Sequence, residues 1–403
     1  MTKNTFFFLL ATGVILRIFF SFQIPEFAGN DELAHLRYAQ HIAAEKKPPN
    51  LNNYPKEDPA GNEYFQPPLY YLLLAPLIAI SSNPSNQLHL ARIVSIIIWS
   101  LGFYFAIKLI SIIKLREPHG TVALAFLALL PTYIANSATV NNDTLTISLT
   151  LLTLFYIAEL LNKKLTPAKI FGLSALTSLT ILSKITGLIL LPAVIWLIYY
   201  KLKRYPKQVI THTLIFIASI VLLTNWWFLY NFLTYQNFLG PITASTATFT
   251  NVPFDIYKLY LIARGTFFTF WASYGPANQI RLPMYIYLLL LLPTVLSILG
   301  FFLLLYKDFR KRIKFPIQSK YIYTFLIVLF ANIFLLLIFN LRWHQPLGRY
   351  LYPSLFEVAL FWSIGLNTFL PKTIQKHMSK LVITMMLILN LLGAVAIINY
   401  YKL

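Results

Sequence analysis

Cysteine is absent from the 403 residues, and acids are scarce, with 13 Asp and Glu against 33 Lys and Arg. Without thiols there is no disulfide, no thiolate metal site and no cysteine nucleophile. Phosphate-binding loops are missing too: there is no GxxxxGK[ST] and no GxGxxG between a strand and a helix, which excludes the usual soluble nucleotide-binding domains. No stretch of soluble-domain composition exceeds about 50 residues, so residues 1–403 read as a single transmembrane domain.

What the chain has is grease. It is 58% hydrophobic, 16% aromatic and only 11% charged, a composition far from that of a soluble protein. Apolar runs near helical spanning length recur from end to end, which predicts an all-α polytopic membrane protein. The opening run carries Arg17 and lacks a small-residue cleavage site, so it reads as a retained first helix. The net charge of +20 comes from short basic clusters between apolar runs. That pattern fits retention at an anionic inner leaflet and gives no reason to invoke nucleic acid.

Eleven spans are expected, near 5–24, 88–113, 120–137, 143–161, 169–183, 186–200, 209–230, 282–306, 321–341, 353–370 and 381–400. The run 69–80 has 12 apolar residues and contains Pro76, too short for the ~20 that a span needs. If it lies on the surface and the N-terminus is cytoplasmic, 19 basic residues and two acids fall inside, while 11 basic and nine acidic residues fall outside. If it crosses, the downstream basic clusters move outside. The positive-inside rule selects the first arrangement, in the cell (inner) membrane. Three outer elements result: the loop 25–87, the loop 231–280 with a Thr-rich centre that suggests a lid, and the turn 342–353.

Seven of the 13 acids lie between Glu26 and Glu63, in the first outer loop. Asn30 is a plausible N-cap, with Asp31 and Glu32 in the first turn, where carboxylates suit the helix dipole. Asp31 and His35 share a face at i,i+4 spacing. Adjacent carboxylates on a helix diverge by about 100°, so Asp31 and Glu32 cannot flank one bond as a glycosidase pair does. One carboxylate acting as general base on a hydroxyl needs no such pairing. Gln66, Tyr70 and Tyr71 lead into 69–80, where aromatics are ordinary interfacial anchors and a groove-lining role is the sharper alternative.

An anionic group bound at the outer face would need fixed cations. The outer candidates are Lys184, Arg264, Arg281 and Arg349. Lys184 sits in a tight corner between spans, and Arg349 follows Gly348, which admits close backbone approach. Snorkelling to lipid headgroups is the bland alternative for each. Arg17 and Glu357 lie inside spans, where they either pair with each other or line a cavity.

Several stretches together resemble the GT-C superfamily, which includes protein O-mannosyltransferases and lipid A aminoarabinose transferases. More closely they resemble a prokaryotic family of membrane proteins without an established function. They are NDELAHLRYAQHI (30–42), EYFQPPLYY (63–71), ARIVS (91–95), LLPTYIANSATVNNDTLTISL (129–149), LSKITGLILLP (182–192), NWWFLYNFLTYQNFLGP (225–241), FTFWASYGPANQIRLP (268–283) and QPLGRYLYP (345–353). The resemblance implies a GT-C-like helical bundle and an inverting transfer of a sugar from a polyprenyl-phosphate donor on the outer membrane face. It implies Asp31 as catalytic base with Glu32 beside it, and Asp143 as a second acid that positions the base or a metal. His35, Gln66, Tyr70, Trp271 and Tyr350 would support the site. A divalent metal is compatible with this set and not required by it. The family's WxxRN pattern reads Trp227 to Asn231 here, with Tyr230 where Arg is expected, and its FWG reads Phe270, Trp271, Ala272.

The expected partners are therefore a polyprenyl-phosphate sugar, a glycan, lipid or protein acceptor, and membrane lipid. The rival is a transporter or lipid flippase. It would call for internal repeats and ionisable groups at mid-membrane, whereas the acids here concentrate in an outer loop.

Overall fold

The computed structural model describes residues 3–53, 63–240, 255–276, 278–310, 315–342 and 345–402. The chain is helical almost throughout. α1 (Lys3–Gln23) leads to two helices of the first outer loop, α2 (Glu32–Glu45) and α3 (Leu69–Ile78). There follow α4 (Pro84–Ile113), α5 (His119–Leu129), α6 (Pro131–Ser137), α7 (Asp143–Leu160) and α8 (Pro167–Ser183). A 3-10 turn, Ile185–Ile189, enters α9 (Leu190–Leu202), and α10 (Pro206–Tyr235) completes the first half. The second half holds α11 (Ile256–Trp271), a short hairpin of β1 (Ser273–Tyr274) and β2 (Ile280–Arg281), α12 (Met284–Phe309) and α13 (Ser319–Arg342). A second 3-10 turn, Gly348–Ser354, enters α14 (Leu355–Phe369), followed by α15 (Lys372–Gln375) and α16 (Met378–Tyr401).

Among the described residues eight helices are long and apolar enough to cross a membrane, and α5 with α6 makes a ninth span bent by 50°. The remaining two expected spans are α8 and α14, at 17 and 15 residues, short of the usual spanning length. α3 has ten residues, a rise of about 15 Å that cannot cross a bilayer. Each expected apolar run is thus a helix, and 69–80 is the short one.

Every residue of α5 is buried, at the centre of a bundle made with α1, α4, α14 and α16. A helix apolar all round belongs in that position. Its Ala123, Ala125 and Ala128 admit close neighbours. α12 and α14 meet closer still: a Cβ on Gly300 would strike the Gly365 carbonyl, and one on Gly365 would strike the Ser297 carbonyl.

The α5–α6 break explains Arg17. Pro131 has no N–H, so the Leu127 carbonyl loses its helical donor. Trp99 Nε1 donates to that carbonyl at 3.1 Å, and Arg17 Nη2 at 3.2 Å. Arg17 also donates to Ala128 O at 2.9 Å, Gly13 O at 3.0 Å and Ser137 Oγ at 2.7 Å. Its guanidinium lies 3.5 Å from the Trp99 ring centroid. The expected alternative of pairing with Glu357 is wrong, because carbonyl dipoles and an indole face satisfy the charge. Glu357 is buried elsewhere, with neither carboxyl oxygen hydrogen-bonded.

The first outer loop has a core of its own, in which Tyr38 stacks on Tyr71 at 3.8 Å and Leu36 and Ile42 pack with Leu74 and Ile78. α10 holds its far side: Leu51 N donates to the Tyr235 hydroxyl at 2.9 Å, and the Tyr230 hydroxyl donates to Pro49 O at 3.3 Å. Where the family pattern has Arg, this chain uses a tyrosine to fasten the loop.

Gly365→Leu should force α12 and α14 apart. A destabilisation of about 1–3 kcal/mol is expected for such overpacking. The thermal midpoint of the purified variant in detergent measures it, and a midpoint equal to wild type would refute the close contact.

Candidate active site

Asp31 and Glu32 point apart, Asp31 from the left-handed cap position and Glu32 from the first helical residue of α2. Glu32 points in. It is 1% exposed, and Arg92 of α4 grips both its oxygens, Nε to Oε1 at 2.9 Å and Nη2 to Oε2 at 2.7 Å. Backbone N–H groups of Val140 and Gly29 donate to the same carboxylate at 3.0 and 3.2 Å. Arg92 also donates to the carbonyls of Ser21, Ile24 and Pro25 at the end of α1. With four donors on a sealed carboxylate, Glu32 is a structural junction and not a reacting group.

Asp31 points out. It occupies the cap position of α2, one residue later than the expected Asn30, with φ 56° and ψ 13°. Asp tolerates this left-handed conformation better than most residues. Its carboxylate makes no cap hydrogen bond and instead accepts from Arg349 Nη2 at 2.7 Å. The Asp31 side chain is 39% exposed and that of Arg349 13%. Burial among protein atoms pushes the Asp31 carboxyl up, but Arg349, with His35 and Lys184, outweighs this and holds it below the usual carboxylate range. Arg349 Nε is buried without a hydrogen-bond partner.

A second ion pair faces the first. Asp143 begins α7, where the helix dipole favours a carboxylate, and it accepts from Lys184 Nζ at 2.6 Å. Lys184 sits between α8 and the 3-10 turn that follows, in an extended conformation. The corner stays tight because a Cβ on Gly187 would lie 2.6 Å from the Thr180 carbonyl carbon. Both members are largely buried, with 14% and 7% of the side chain exposed for Lys184 and Asp143. The fields of Lys184 and Arg349 both reach Asp31 and Asp143, so the four charges form one electrostatic unit.

Glu63 completes the recess. It comes four residues before the Pro67–Pro68 step that starts α3, and its Oε2 lies 4.0 Å from His35 Nδ1. That nitrogen is hydrogen-bonded with the Tyr71 hydroxyl at 2.8 Å. Burial, together with the charges of Asp31 and Asp143, lifts the Glu63 carboxyl to about 8 in spite of Lys184 and Arg349. Burial lowers His35 to about 4, against the pull of Asp31. Near neutral pH both are uncharged. Glu63 was visible in the sequence only as one loop acid among seven; its nearness to Asp31 depends on how α3 packs against α2.

The other expected site residues divide. Tyr350 stands beside Arg349 and donates to Gln345 Oε1 at 3.1 Å. Gln66 reaches Asn142 with its side chain at 3.5 Å, while its carbonyl accepts from Tyr38. Tyr70 turns away to Ser95 on α4, 2.9 Å from its hydroxyl, and its neighbour Tyr71 faces the recess instead. Trp271 is 2% exposed, packed among Phe126, Phe270 and Trp362, so it belongs to the core. Arg264 and Arg281 are exposed and line a separate cavity; the structure does not bring them to Asp31. The centre of the expected lid, 241–254, lies outside the described residues, as do Glu57 and Asp58.

Among the described residues, no three of His, Asp and Glu are placed to share a metal ion. Asp31 and Asp143 each give one oxygen to a cation.

Residues 65–228 match the family model for dolichyl-phosphate-mannose-protein mannosyltransferases. Over 98% of its length the chain superposes on ArnT from Cupriavidus metallidurans bound to undecaprenyl phosphate, with a TM-score of 0.56 at 12% identity. It superposes equally well, over 97%, on the oligosaccharyltransferase AglB from Archaeoglobus fulgidus in complex with an inhibitory peptide and a dolichol-phosphate, TM-score 0.56 at 12% identity. The fold is GT-C. The arabinosyltransferase EmbB from Mycobacterium smegmatis also aligns, with a TM-score of 0.50 and 11% identity over 90% of the chain. The chain spans 75% of that ArnT, 56% of AglB and 30% of EmbB. No curated protein matches it in sequence. In this GT-C bundle the charged cluster is contributed by α2, the segment before α3, the start of α7, the α8–α9 corner and the 3-10 turn before α14.

Arg92→Met should leave Glu32 buried without its cation and destabilise the protein by about 3–5 kcal/mol, read as a fall in thermal midpoint; an unchanged midpoint would remove Glu32–Arg92 as the junction. Glu63 gives a pH prediction. Its folded pKa of about 8 lies above the ordinary 4.5, so the stability it contributes is full below that ordinary value and is lost as pH rises towards 8. Glu63→Gln should therefore gain thermal stability relative to wild type across that window and level off above it. A difference independent of pH would show that Glu63 is ionised in the fold.

Proposed function

We propose that this chain is an inverting glycosyltransferase that moves a sugar from a polyprenyl-phosphate donor to an acceptor hydroxyl at the outer face of the cell membrane. The observation that carries the reading is the recess itself: an open carboxylate, Asp31, shares one electrostatic unit with two buried cations suited to a phosphate. The ArnT and AglB structures hold undecaprenyl phosphate and dolichol-phosphate, which supports a lipid-borne donor. The concentration of acids in the first outer loop and of basic residues in the opposite loops supports a cytoplasmic N-terminus and an outward-facing site.

In this reading Asp31 takes the proton of the acceptor hydroxyl, and the oxygen attacks the anomeric carbon. The bond from that carbon to the phosphate oxygen breaks, and the phosphate leaves with the electron pair. Arg349 and Lys184 stabilise the charge that develops on it. At rest both cations are held by Asp31 and Asp143. The donor phosphate competes with the two carboxylates for them. As Arg349 turns towards phosphate, Asp31 loses the main charge that depresses its pKa and becomes a better base. Donor binding thus switches on the base. Neutral His35 and Glu63 act as hydrogen-bonding walls that orient the acceptor or the sugar.

Asp31→Asn keeps an oxygen for Arg349 and should fold normally, yet lose transfer by at least about 10²-fold, the lower end for general-base catalysis. Release of polyprenyl phosphate by purified protein, supplied with a panel of polyprenyl-phosphate sugars and acceptors, measures it. Near-normal turnover by this variant would remove Asp31 as the base.

A further inference from the structure

A cavity of about 300 Å³ opens between α11, the β1–β2 hairpin and the first turn of α12. Arg264 and Phe268 project into it from α11, one turn apart, and Arg281 and Tyr287 from the other wall. The Arg264 guanidinium lies 5.8 Å from the Phe268 ring centroid. Arg281 spends Nε on the Asn278 carbonyl at 3.2 Å, which leaves its terminal nitrogens for the cavity. Neither arginine meets a carboxylate among the described residues.

That imbalance is written in the sequence. Between residues 160 and 307 there is one acid, Asp255. Its carboxylate caps α11, accepting from Lys258 N at 2.8 Å, nine residues and roughly 13 Å along the helix from Arg264. The walls are fixed: the Tyr287 hydroxyl accepts from Leu282 N at 3.2 Å and donates to Ala272 O. Below the cavity, α12 presents Tyr285, Leu288, Leu289 and Leu292, each at least 60% exposed and spaced along one side of the helix.

We propose that this cavity is a second lipid-phosphate site, separate from the Asp31 recess, which takes the phosphate monoester of a polyprenyl carrier with its chain along α12. The proposal rests on the reading of the chain as a carrier-using transferase. Two guanidiniums without a counter-acid match a monoester of charge about −1.5 to −2 better than the single negative charge of a phosphodiester lipid. The aromatic and apolar walls suit the first carbons of the tail. The same helix touches the segment that carries Arg349: a Cβ on Gly265, at the cavity edge, would lie 2.5 Å from Pro346 Cγ, and Gly348 N donates to Thr269 Oγ1 at 2.7 Å. A carrier parked here waits one helix away from the reacting centre.

The test is native mass spectrometry of the full chain in detergent, titrated with undecaprenyl phosphate, phosphatidylglycerol or phosphatidylcholine. Wild type should bind two equivalents of the monoester. Arg264→Gln/Arg281→Gln should bind one, with affinity at the lost site at least tenfold weaker, and Arg349→Gln should lose the other. The single variants Arg264→Gln and Arg281→Gln, each keeping one cation, should weaken the second equivalent and cover the case in which the double variant fails to fold. Two equivalents on the double variant, or no weakening in either single variant, would overturn the proposal. So would phosphatidylglycerol filling the second site as tightly as the monoester, because the arginines would then be general headgroup anchors. If Arg349→Gln keeps both equivalents while the double variant loses one, the central donor site fails and the peripheral one stands.

Discussion

The buried Glu32–Arg92 pair is the joint on which the recess depends. One guanidinium binds the end of α1 through three carbonyls and the start of α2 through a carboxylate, and that carboxylate reaches on to Val140 at the α6–α7 corner. Breaking such a pair leaves an uncompensated charge in a closed environment. Because Glu32 is fixed inward, Asp31 is forced outward. Its left-handed backbone then aims the carboxylate away from the helix end and across to Arg349. The placement of Asp31 against Arg349 thus rests on its buried neighbour.

The composition of the recess follows a rule of near balance. Two acids face two cations, and the remaining titratable groups, Glu63 and His35, are driven neutral by burial. Four like charges this close would repel one another, and the pairing of opposite signs removes that cost. On the proposed function, pairing Arg349 with Asp31 and Lys184 with Asp143 holds both cations in a form that a competing anion with good geometry would release.

Much of this was readable in advance, and the pattern of what was not is physical. Hydropathy located the helices, because each span must bury its own backbone polar groups within one stretch of sequence. The shortness of 69–80 and the clustering of acids named the loop. The divergence of Asp31 and Glu32 was expected from helical geometry, whereas Asp31 lies before the helix in a left-handed cap, and the direction each takes depends on Arg92, 60 residues away. Arg17 looked like half of an ion pair because sequence displays charges and hides carbonyl dipoles; three of its hydrogen-bond acceptors, Leu127, Ala128 and Ser137, lie around the break at Pro131. Tyr70 and Tyr71 were equivalent by composition and were told apart only by which side of α3 meets α4. Arg264 and Arg281 shared sidedness and chemistry with Arg349, yet α11 stands between them and the recess.

The way Arg17 is satisfied bears on how the protein is made. The first helix enters the membrane carrying a charge whose acceptors, Leu127, Ala128 and Ser137, are synthesised more than a hundred residues later. Until then a guanidinium in hydrocarbon is costly, so α1 has to stay beside the insertion channel or snorkel to its surface. It becomes a settled span only when the broken helix arrives and its loose carbonyls close around the arginine. Assembly of the bundle is therefore ordered in time: the beginning of the chain waits for its middle.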